Sequence, residues 1–91
     1  MKYEILSTGR FKKDLKAIMK RGYNLQLLQD VVSLLAAGIP LTEKNKNHML
    51  TGDWDGHREC HINPDWLLIY RIDNDVLVLT LTRTGTHSDL F

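Results

Sequence analysis

The chain has 91 residues, of which 43% are apolar and 25% are charged. These values are typical of one small globular domain spanning residues 1–91, and they exclude a disordered tail or a disulfide scaffold. The net charge of +1 argues against indiscriminate coating of nucleic acid, and the lone Cys60 excludes an internal disulfide. No apolar run approaches the roughly 18–20 residues of a membrane span, and the start MKYEILSTGR lacks a secretory signal. We therefore expect a cytoplasmic protein with no membrane contact.

The charge is unevenly distributed along the chain. Residues 1–48 carry nine Lys or Arg and four acids, whereas residues 49–91 carry three and seven. Six of the basic residues lie in RFKKDLKAIMKR, residues 10–21. This segment either steers a polyanion or forms the solvated face of an amphipathic helix.

The N-terminal half predicts a strand followed by a two-helix hairpin. Polar and apolar residues alternate loosely over residues 2–7, which indicates a strand. The first helix has its apolar stripe at Phe11, Leu15, Ile18 and Met19 and ends at Gly22. The second begins at the capping residue Asn24 and stops before Gly38 and Pro40.

The C-terminal half predicts a loop and then three strands. Residues 41–56 show no sustained periodicity of apolar residues, which indicates a long loop. Loops of this length often have a functional role. Residues 57–62, 67–73 and 76–83 indicate an antiparallel meander, with NPDW as the first turn. The sequence therefore predicts an α+β domain with an N-terminal strand, a two-helix hairpin and a three-stranded meander. We expect the helices on one face of the sheet and the other face open.

The strand at residues 57–62 indicates where chemistry could occur. Strand alternation places His57, Glu59 and His61 on one side, with Cys60 and Ile62 toward the core on the other. If the meander folds as predicted, a candidate site forms at one end of the open face. Its members would be His61, Asp65, Arg83 and His87.

Paired imidazoles, a carboxylate and an arginine suit cleavage of RNA by its own 2′-hydroxyl. That reaction needs a base, an acid and a cation to stabilise the phosphorane, and histidine serves as either base or acid near neutral pH. Arg83 would form a fork on the phosphate. Trp66 and Phe91 would stack on bases, with packing in the core or at its rim as the alternative for Trp66 and Trp54.

Two features of the pattern leave alternatives open. Strict alternation puts Arg83 in phase with Leu79 and Leu81, so either the last strand bulges near its end or that side is not buried. The second alternative is a zinc site, for which the candidate ligands are His48, His57, Cys60 and His61. Their spacing matches no standard structural zinc pattern, and Cys60 points away from its neighbours, so we expect no metal and no cofactor.

Two stretches resemble a known family. KNHMLTGDWDGHRECHINPDWLLIYRI (residues 46–72) and RTGTHSDLF (residues 83–91) resemble YafQ-type mRNA interferase toxins of the RelE/ParE toxin–antitoxin superfamily. The order of strand, helices and strands extends the resemblance over essentially the whole chain. It implies a RelE-like microbial ribonuclease fold, and a toxin that cleaves mRNA in the ribosomal A site without a metal.

The resemblance also implies a set of functional residues and partners. The family's active-site positions fall on His48, His61, Asp65, Arg83, His87 and Phe91. Its further acidic strand position falls on Glu59, where a longer side chain replaces the usual Asp, and its aromatic beside the acid falls on Trp66. The expected partners are a cognate antitoxin, the ribosome and mRNA, with promoter DNA bound only through the antitoxin complex. We assign ribosome contact to Lys12, Lys13, Lys16 and Lys20.

Two other functions compete with the nuclease. One is a ParE-like toxin that binds a topoisomerase without cutting RNA, and the other is a binding module that partners a repressor at its own promoter. The ParE-like class lacks the histidine-rich set, so His48, His61, Asp65 and His87 favour the nuclease.

Overall fold

The fold is built from five strands, two long helices and a short C-terminal helix. A computed structural model describes residues 2–91. The elements are β1 (Glu4–Ser7), α1 (Gly9–Lys20), α2 (Leu25–Ala37), β2 (His48–Met49), β3 (Arg58–Asn63), β4 (Trp66–Asp73), β5 (Val78–Gly85) and α3 (His87–Leu90). None of the helices within residues 2–91 is long and apolar enough to cross a membrane.

The two long helices begin and end where side chains satisfy their terminal backbone groups. The hydroxyl of Thr8 accepts from the N–H of Phe11 at the start of α1. The predicted cap Asn24 accepts from the N–H of Gln26 and starts α2, which ends at Gly38 with φ 74°. Met19 was predicted to be buried but is 54% exposed. It lies about 80° around the helix from Phe11, outside the buried stripe.

The sheet has the strand order β1-β5-β4-β3-β2. The predicted meander of β3, β4 and β5 is antiparallel throughout, and β1 pairs in parallel with β5. The first strand is shorter than predicted, because Lys2 and Tyr3 instead donate their N–H groups to the carbonyl of Ala36.

A β-bulge in β5 explains why Arg83 does not point to the same side of the sheet as Leu79 and Leu81. Ile69 pairs with Arg83 but Tyr70 pairs with Leu81, so Thr82 is an extra residue in β5. Leu81 therefore stays on the helix side, whereas Arg83 shares a register position with Ile69 on the other side. This is the first of the two alternatives left open by the sequence.

Apolar side chains pack on both faces of the sheet. The main core lies between the sheet and the helices and includes Phe11, Ile18, Leu28 and Cys60. Burial of Cys60 raises the pKa of its thiol to about 12. On the opposite face, Leu67, Ile69 and Leu90 form a second cluster with Leu50 and Trp54. That face was predicted to be open, and the second cluster covers one end of it.

The predicted loop at residues 41–56 is partly ordered. It contains single turns of 3₁₀-helix at Glu43–Asn45 and Gly52–Trp54, with β2 between them. A two-residue strand and isolated turns are too short to produce a period in the sequence, so the pattern could not indicate them.

Candidate active site

One register row crosses four strands on the face opposite the long helices. His48 pairs with Glu59, Glu59 with Ile69, and Ile69 with Arg83. Since paired residues point to the same face, this row brings residues from four distant parts of the chain together. His61 pairs with Leu67 in the adjacent row on that face.

Glu59 lies between two histidines. Its Oε1 is 3.9 Å from Nε2 of His48 and 3.7 Å from Nε2 of His61. The Glu59 side chain is 8% exposed, compared with 49% for His48 and 22% for His61. A buried carboxylate requires polar or charged partners, and the two imidazoles lie within ion-pair distance of it. Although Glu59 is longer than the family's usual Asp, its carboxylate is within ion-pair distance of both rings.

The backbone of His61 is held by Asn45, a residue that the sequence analysis missed. The Asn45 side-chain amide donates to the His61 carbonyl at 2.8 Å, and its oxygen accepts from the Thr42 hydroxyl. β2 pairs only as far as Glu59, so the amide takes the place of a strand partner. Asn45 is 7% exposed, and no sequence pattern distinguishes it from the polar residues around it.

Arg83 is paired with Asp14 of α1. Its Nε and Nη2 donate to the two carboxylate oxygens at 3.0 and 2.9 Å, and the N–H of Thr84 donates to the same carboxylate. The hydrogen bond to Asp14 raises the pKa of Arg83 above its ordinary value. Asp14 also escaped the sequence analysis, although it is the only acid in the basic segment 10–21.

The C-terminal helix α3 is fixed to this face at several points. Thr86 and Asp89 form a capping box, and Leu90 packs in the second cluster. Arg21, at the end of α1, donates to both Asp89 oxygens at 2.6 and 3.1 Å. That hydrogen bond keeps the pKa of Asp89 well below its usual range. The helix carries His87 and Phe91, whose ring centroids are 5.1 Å apart.

Gly85 allows α3 to approach β5 closely. A Cβ at Gly85 would lie 2.9 Å from Cβ of Asp89, closer than real Cβ atoms pack. The glycine of RTGTHSDLF is therefore required by the contact that positions α3.

Asp65 and Trp66 have different environments although they are adjacent. Asp65 is exposed in the turn between β3 and β4, and its N–H donates to the Asn63 side chain. Trp66 is 0% exposed, its Nε1 donates to the Thr84 hydroxyl, and Tyr23 packs edge-on against it. Trp66 therefore cannot stack on a base, and the alternative given by the sequence, packing in the core, is confirmed. β4 begins at Trp66, so this residue faces the core instead of lying in the turn.

The remaining predicted residues are separate from the Glu59 row. Lys12, Lys13, Lys16 and Lys20 are all exposed on α1. His57 packs edge-on against Trp54. Within residues 2–91, no three His, Cys, Asp or Glu side chains are arranged to hold a metal ion.

Together these contacts place two imidazoles around one carboxylate and fix a third histidine on α3, which is anchored to the same face. Asp65 is exposed in its turn, and the guanidinium of Arg83 is paired with Asp14 of α1. Imidazole and carboxylate groups in this arrangement can transfer protons and bind a polar substrate.

Comparison with known proteins gives a consistent result. Residues 3–91 match the family model described as "Bacterial toxin of type II toxin-antitoxin system, YafQ". The Escherichia coli K12 "mRNA interferase toxin YafQ" is 38% identical over 89 residues, which is 97% of this chain and 95% of that protein.

Two solved structures superpose closely on this chain. A metal-bound toxin from Helicobacter pylori has a TM-score of 0.91 and 45% identity, covering 98% of this chain and 99% of the other. The E. coli DinJ–YafQ complex has a TM-score of 0.89 and 38% identity, covering 98% of each chain. The family model covers nearly the whole chain, and the fold and the relatives agree with it. The chain belongs to the YafQ family of bacterial toxins of type II toxin–antitoxin systems.

Proposed function

We propose that this chain is a ribosome-dependent endoribonuclease that cleaves mRNA in the A site and so inhibits translation. The observation that carries the proposal is the buried Glu59 carboxylate between His48 and His61. The helix α3, which contains His87, packs its Leu90 on the same face of the sheet. The name of the E. coli relative, an mRNA interferase, supports the same reaction.

The proposed reaction uses the RNA 2′-hydroxyl as nucleophile. A histidine removes the 2′-hydroxyl proton, the 2′-oxygen attacks phosphorus, and the bond to the 5′-oxygen breaks as a second histidine protonates it. The products are a 2′,3′-cyclic phosphate and a 5′-hydroxyl. His48, His61 and His87 share the two proton transfers, and Asp65 orients or replaces one of them. No metal takes part in these steps.

Charge stabilisation is assigned to Arg83 and orientation to Glu59. Arg83 stabilises the phosphorane, and Asp14 holds its guanidinium in a fixed position until the phosphate competes for it. Glu59 is within 4 Å of both imidazoles and orients them, since it forms an ion pair with whichever is protonated. Phe91, which is 53% exposed, contributes a ring for base stacking.

The proposed partners follow from surface charge and from the relatives. The exposed lysines Lys12, Lys13, Lys16 and Lys20 contact ribosomal RNA. A cognate antitoxin binds and silences the toxin, and the structure of E. coli YafQ in complex with DinJ supports such a partner. Promoter DNA is contacted only through that complex. We place this activity in the cytoplasm, where translating ribosomes are found.

The test is mRNA cleavage in a reconstituted translation system, with cut sites mapped by primer extension. Codon-phased cuts that require ribosomes, and that disappear in His61→Ala and His87→Ala, are expected. Ser88→Ala is the matched control, because Ser88 is the exposed neighbour of His87 on α3. No cuts by the folded wild-type protein would favour a non-catalytic toxin of the ParE-like kind or a repressor-binding module. Equal cutting of naked RNA would remove the ribosome from the proposal.

A further inference from the structure

In the acidic half of the chain, one arginine makes no ion pair or hydrogen bond with another side chain of the described residues. Residues 49–91 carry only three basic residues, Arg58, Arg71 and Arg83. Arg58 donates to the side chain of Asn47 and contacts Tyr70, and Arg83 is paired with Asp14. The Arg71 side chain makes no ion pair or hydrogen bond with any other described side chain. It is also exposed.

Arg71 lies on the same face as the Glu59 row. It follows Ile69 by two residues in β4, so the two side chains point to the same side of the sheet. Arg71 pairs with Thr80 and, with Thr80, Thr82 and Leu6, lines a concavity of about 440 Å³ at the uncovered end of this face. Asp73 also lines it, but its carboxylate accepts from the N–H of Asp75 and forms no ion pair with Arg71.

We propose that Arg71 binds a backbone phosphate of the RNA strand next to the scissile phosphate. This inference rests on the proposed nuclease function. Two residues of strand separate Arg71 from the row of Glu59 and Ile69, which is roughly 7 Å. An arginine side chain anchored there lines the concavity next to the row, and so meets a neighbouring nucleotide instead of the reacting one.

The charge of the surrounding surface explains why a cation at position 71 would help RNA to bind. The surrounding half of the chain has seven acids, and the active-site row itself contains the carboxylate of Glu59. A polyanion crossing such a face needs a cation on the surface it touches. Arg83 is held by Asp14 and is assigned to the scissile phosphate, so Arg71 is the arginine of residues 49–91 that can form a fork with the oxygens of a neighbouring phosphate. The same cation could instead meet an acidic antitoxin segment, which is the competing outcome.

The experiment compares wild type with Arg71→Gln on ribosomes programmed with mRNA. Toxin titrations give the half-saturating concentration and the maximal cleavage rate at several salt concentrations. Binding to ribosomes whose A-site nucleotides carry 2′-O-methyl groups, which block cleavage, is measured in parallel. Lys44→Gln is the matched control, because Lys44 is exposed and lines a separate concavity beside α2.

The expected result is about a fivefold rise in the half-saturating concentration with an unchanged maximal rate. The salt dependence of log affinity should fall by about 0.7, the value for one phosphate contact on single-stranded RNA. Arg71→Lys should recover part of the affinity, and Lys44→Gln should match wild type.

Three results would overturn the inference or separate it from the nuclease proposal. Wild-type affinity and salt dependence in Arg71→Gln would remove it. Weakened antitoxin binding with intact RNA affinity would assign Arg71 to the antitoxin. If wild type fails to cleave, the nuclease proposal fails, but the 2′-O-methyl measurement still decides whether Arg71 contacts RNA.

Discussion

A buried carboxyl group is costly, and Glu59 occupies a buried position within 4 Å of the rings of His48 and His61. Removing a carboxylate from water carries a desolvation penalty that an imidazole at 3.7 Å offsets only when it is protonated. A fold selected for stability alone would place an apolar side chain beside Ile69. The retention of a carboxyl group at this position is therefore best explained by the chemistry of the two histidines.

Glu59→Gln should separate activity from stability. The amide preserves size but removes the charge that orients His48 and His61, so we expect cleavage to fall about tenfold or more. The free energy of unfolding should stay the same or rise, because the desolvation penalty is removed. Cleavage rates and urea unfolding check both effects.

The exposed Glu43 provides the control for this variant, as Glu43→Gln removes the same charge outside the site. Full activity in Glu59→Gln would show that the carboxylate is structural, and an equal loss in Glu43→Gln would attribute the effect to net charge.

Asn45→Asp should disturb His61 through its backbone. The substitution removes the N–H that bonds the His61 carbonyl and leaves that carbonyl facing a carboxylate in a buried position. We expect a loss of about 1–3 kcal/mol in the free energy of unfolding, together with reduced cleavage.

Thr42→Val is the matched control for Asn45→Asp, since it removes the Thr42–Asn45 bond but keeps the bond to His61. Cleavage at the wild-type rate in a measurably destabilised Asn45→Asp would separate Asn45 from the positioning of His61.

At the scale of elements, the four-residue helix α3 is too short to be stable alone and depends on its anchors. Asp89 connects three of them, because it accepts from Arg21, caps the first turn with Thr86 and fits against Gly85. Since His87 lies two residues earlier, the position of that imidazole depends on these contacts.

Asp89→Asn should therefore reduce cleavage while leaving ribosome binding intact. The variant removes a negative charge, so simple electrostatics would strengthen attraction to RNA, whereas loosening α3 displaces His87. The measurements are cleavage rate and ribosome affinity, with the exposed Asp75→Asn as the charge-matched control. Equal rates in the two variants would show that the anchor is dispensable.

The stability that Asp89 contributes changes with pH in a defined direction. The Asp89 pKa is lowered in the folded state, so its stabilising contribution is complete above the unfolded pKa of about 4 and is lost as pH falls below it. The Tm difference between wild type and Asp89→Asn should be constant from pH 7 to 5 and begin to narrow below pH 4. A difference that is unchanged at pH 3 would contradict the ion-pair explanation.

The elements show which features a sequence can predict. The alternation of residues 57–62 correctly assigned Cys60 and Ile62 to the core, because a strand's period of two is a local property. The pairing of Arg83 with Asp14 joins residues 69 positions apart, and nothing local indicates it. Trp66 was misplaced because the proline of NPDW signals a turn, but not the residue at which the strand resumes.

At the scale of the whole molecule, basic and acidic residues occupy different surfaces. The exposed lysines lie on α1, which packs against one face of the sheet, whereas Glu59 and its histidines lie on the other. The exposed lysines and the Glu59 histidines therefore meet a polyanion on different surfaces, although α1 also holds Arg83 through Asp14. This separation suits a toxin whose proposed docking surface and cleavage site meet different parts of the ribosomal complex.

Charge reversal on α1 should weaken docking without altering the fold. In the triple variant Lys12→Glu, Lys13→Glu, Lys16→Glu, all three side chains are exposed, so the thermal midpoint should change by only a few degrees. Ribosome affinity should fall by at least tenfold, and the effect should diminish at high salt because the interaction is screened. Affinity is measured by co-sedimentation with ribosomes over a range of salt concentrations.

The control for this variant must change the same number of charges on another surface. Lys2, Lys44 and Lys46 are exposed outside α1, and reversing all three produces the same net charge. If docking depends on the α1 surface, only the α1 variant loses ribosome binding. If it depends on net charge, the two variants lose it equally. Unchanged binding in both variants would show that α1 is an ordinary amphipathic helix. Its lysines would then only be solvated on the outer surface, while Phe11 and Ile18 pack the inner surface in the core.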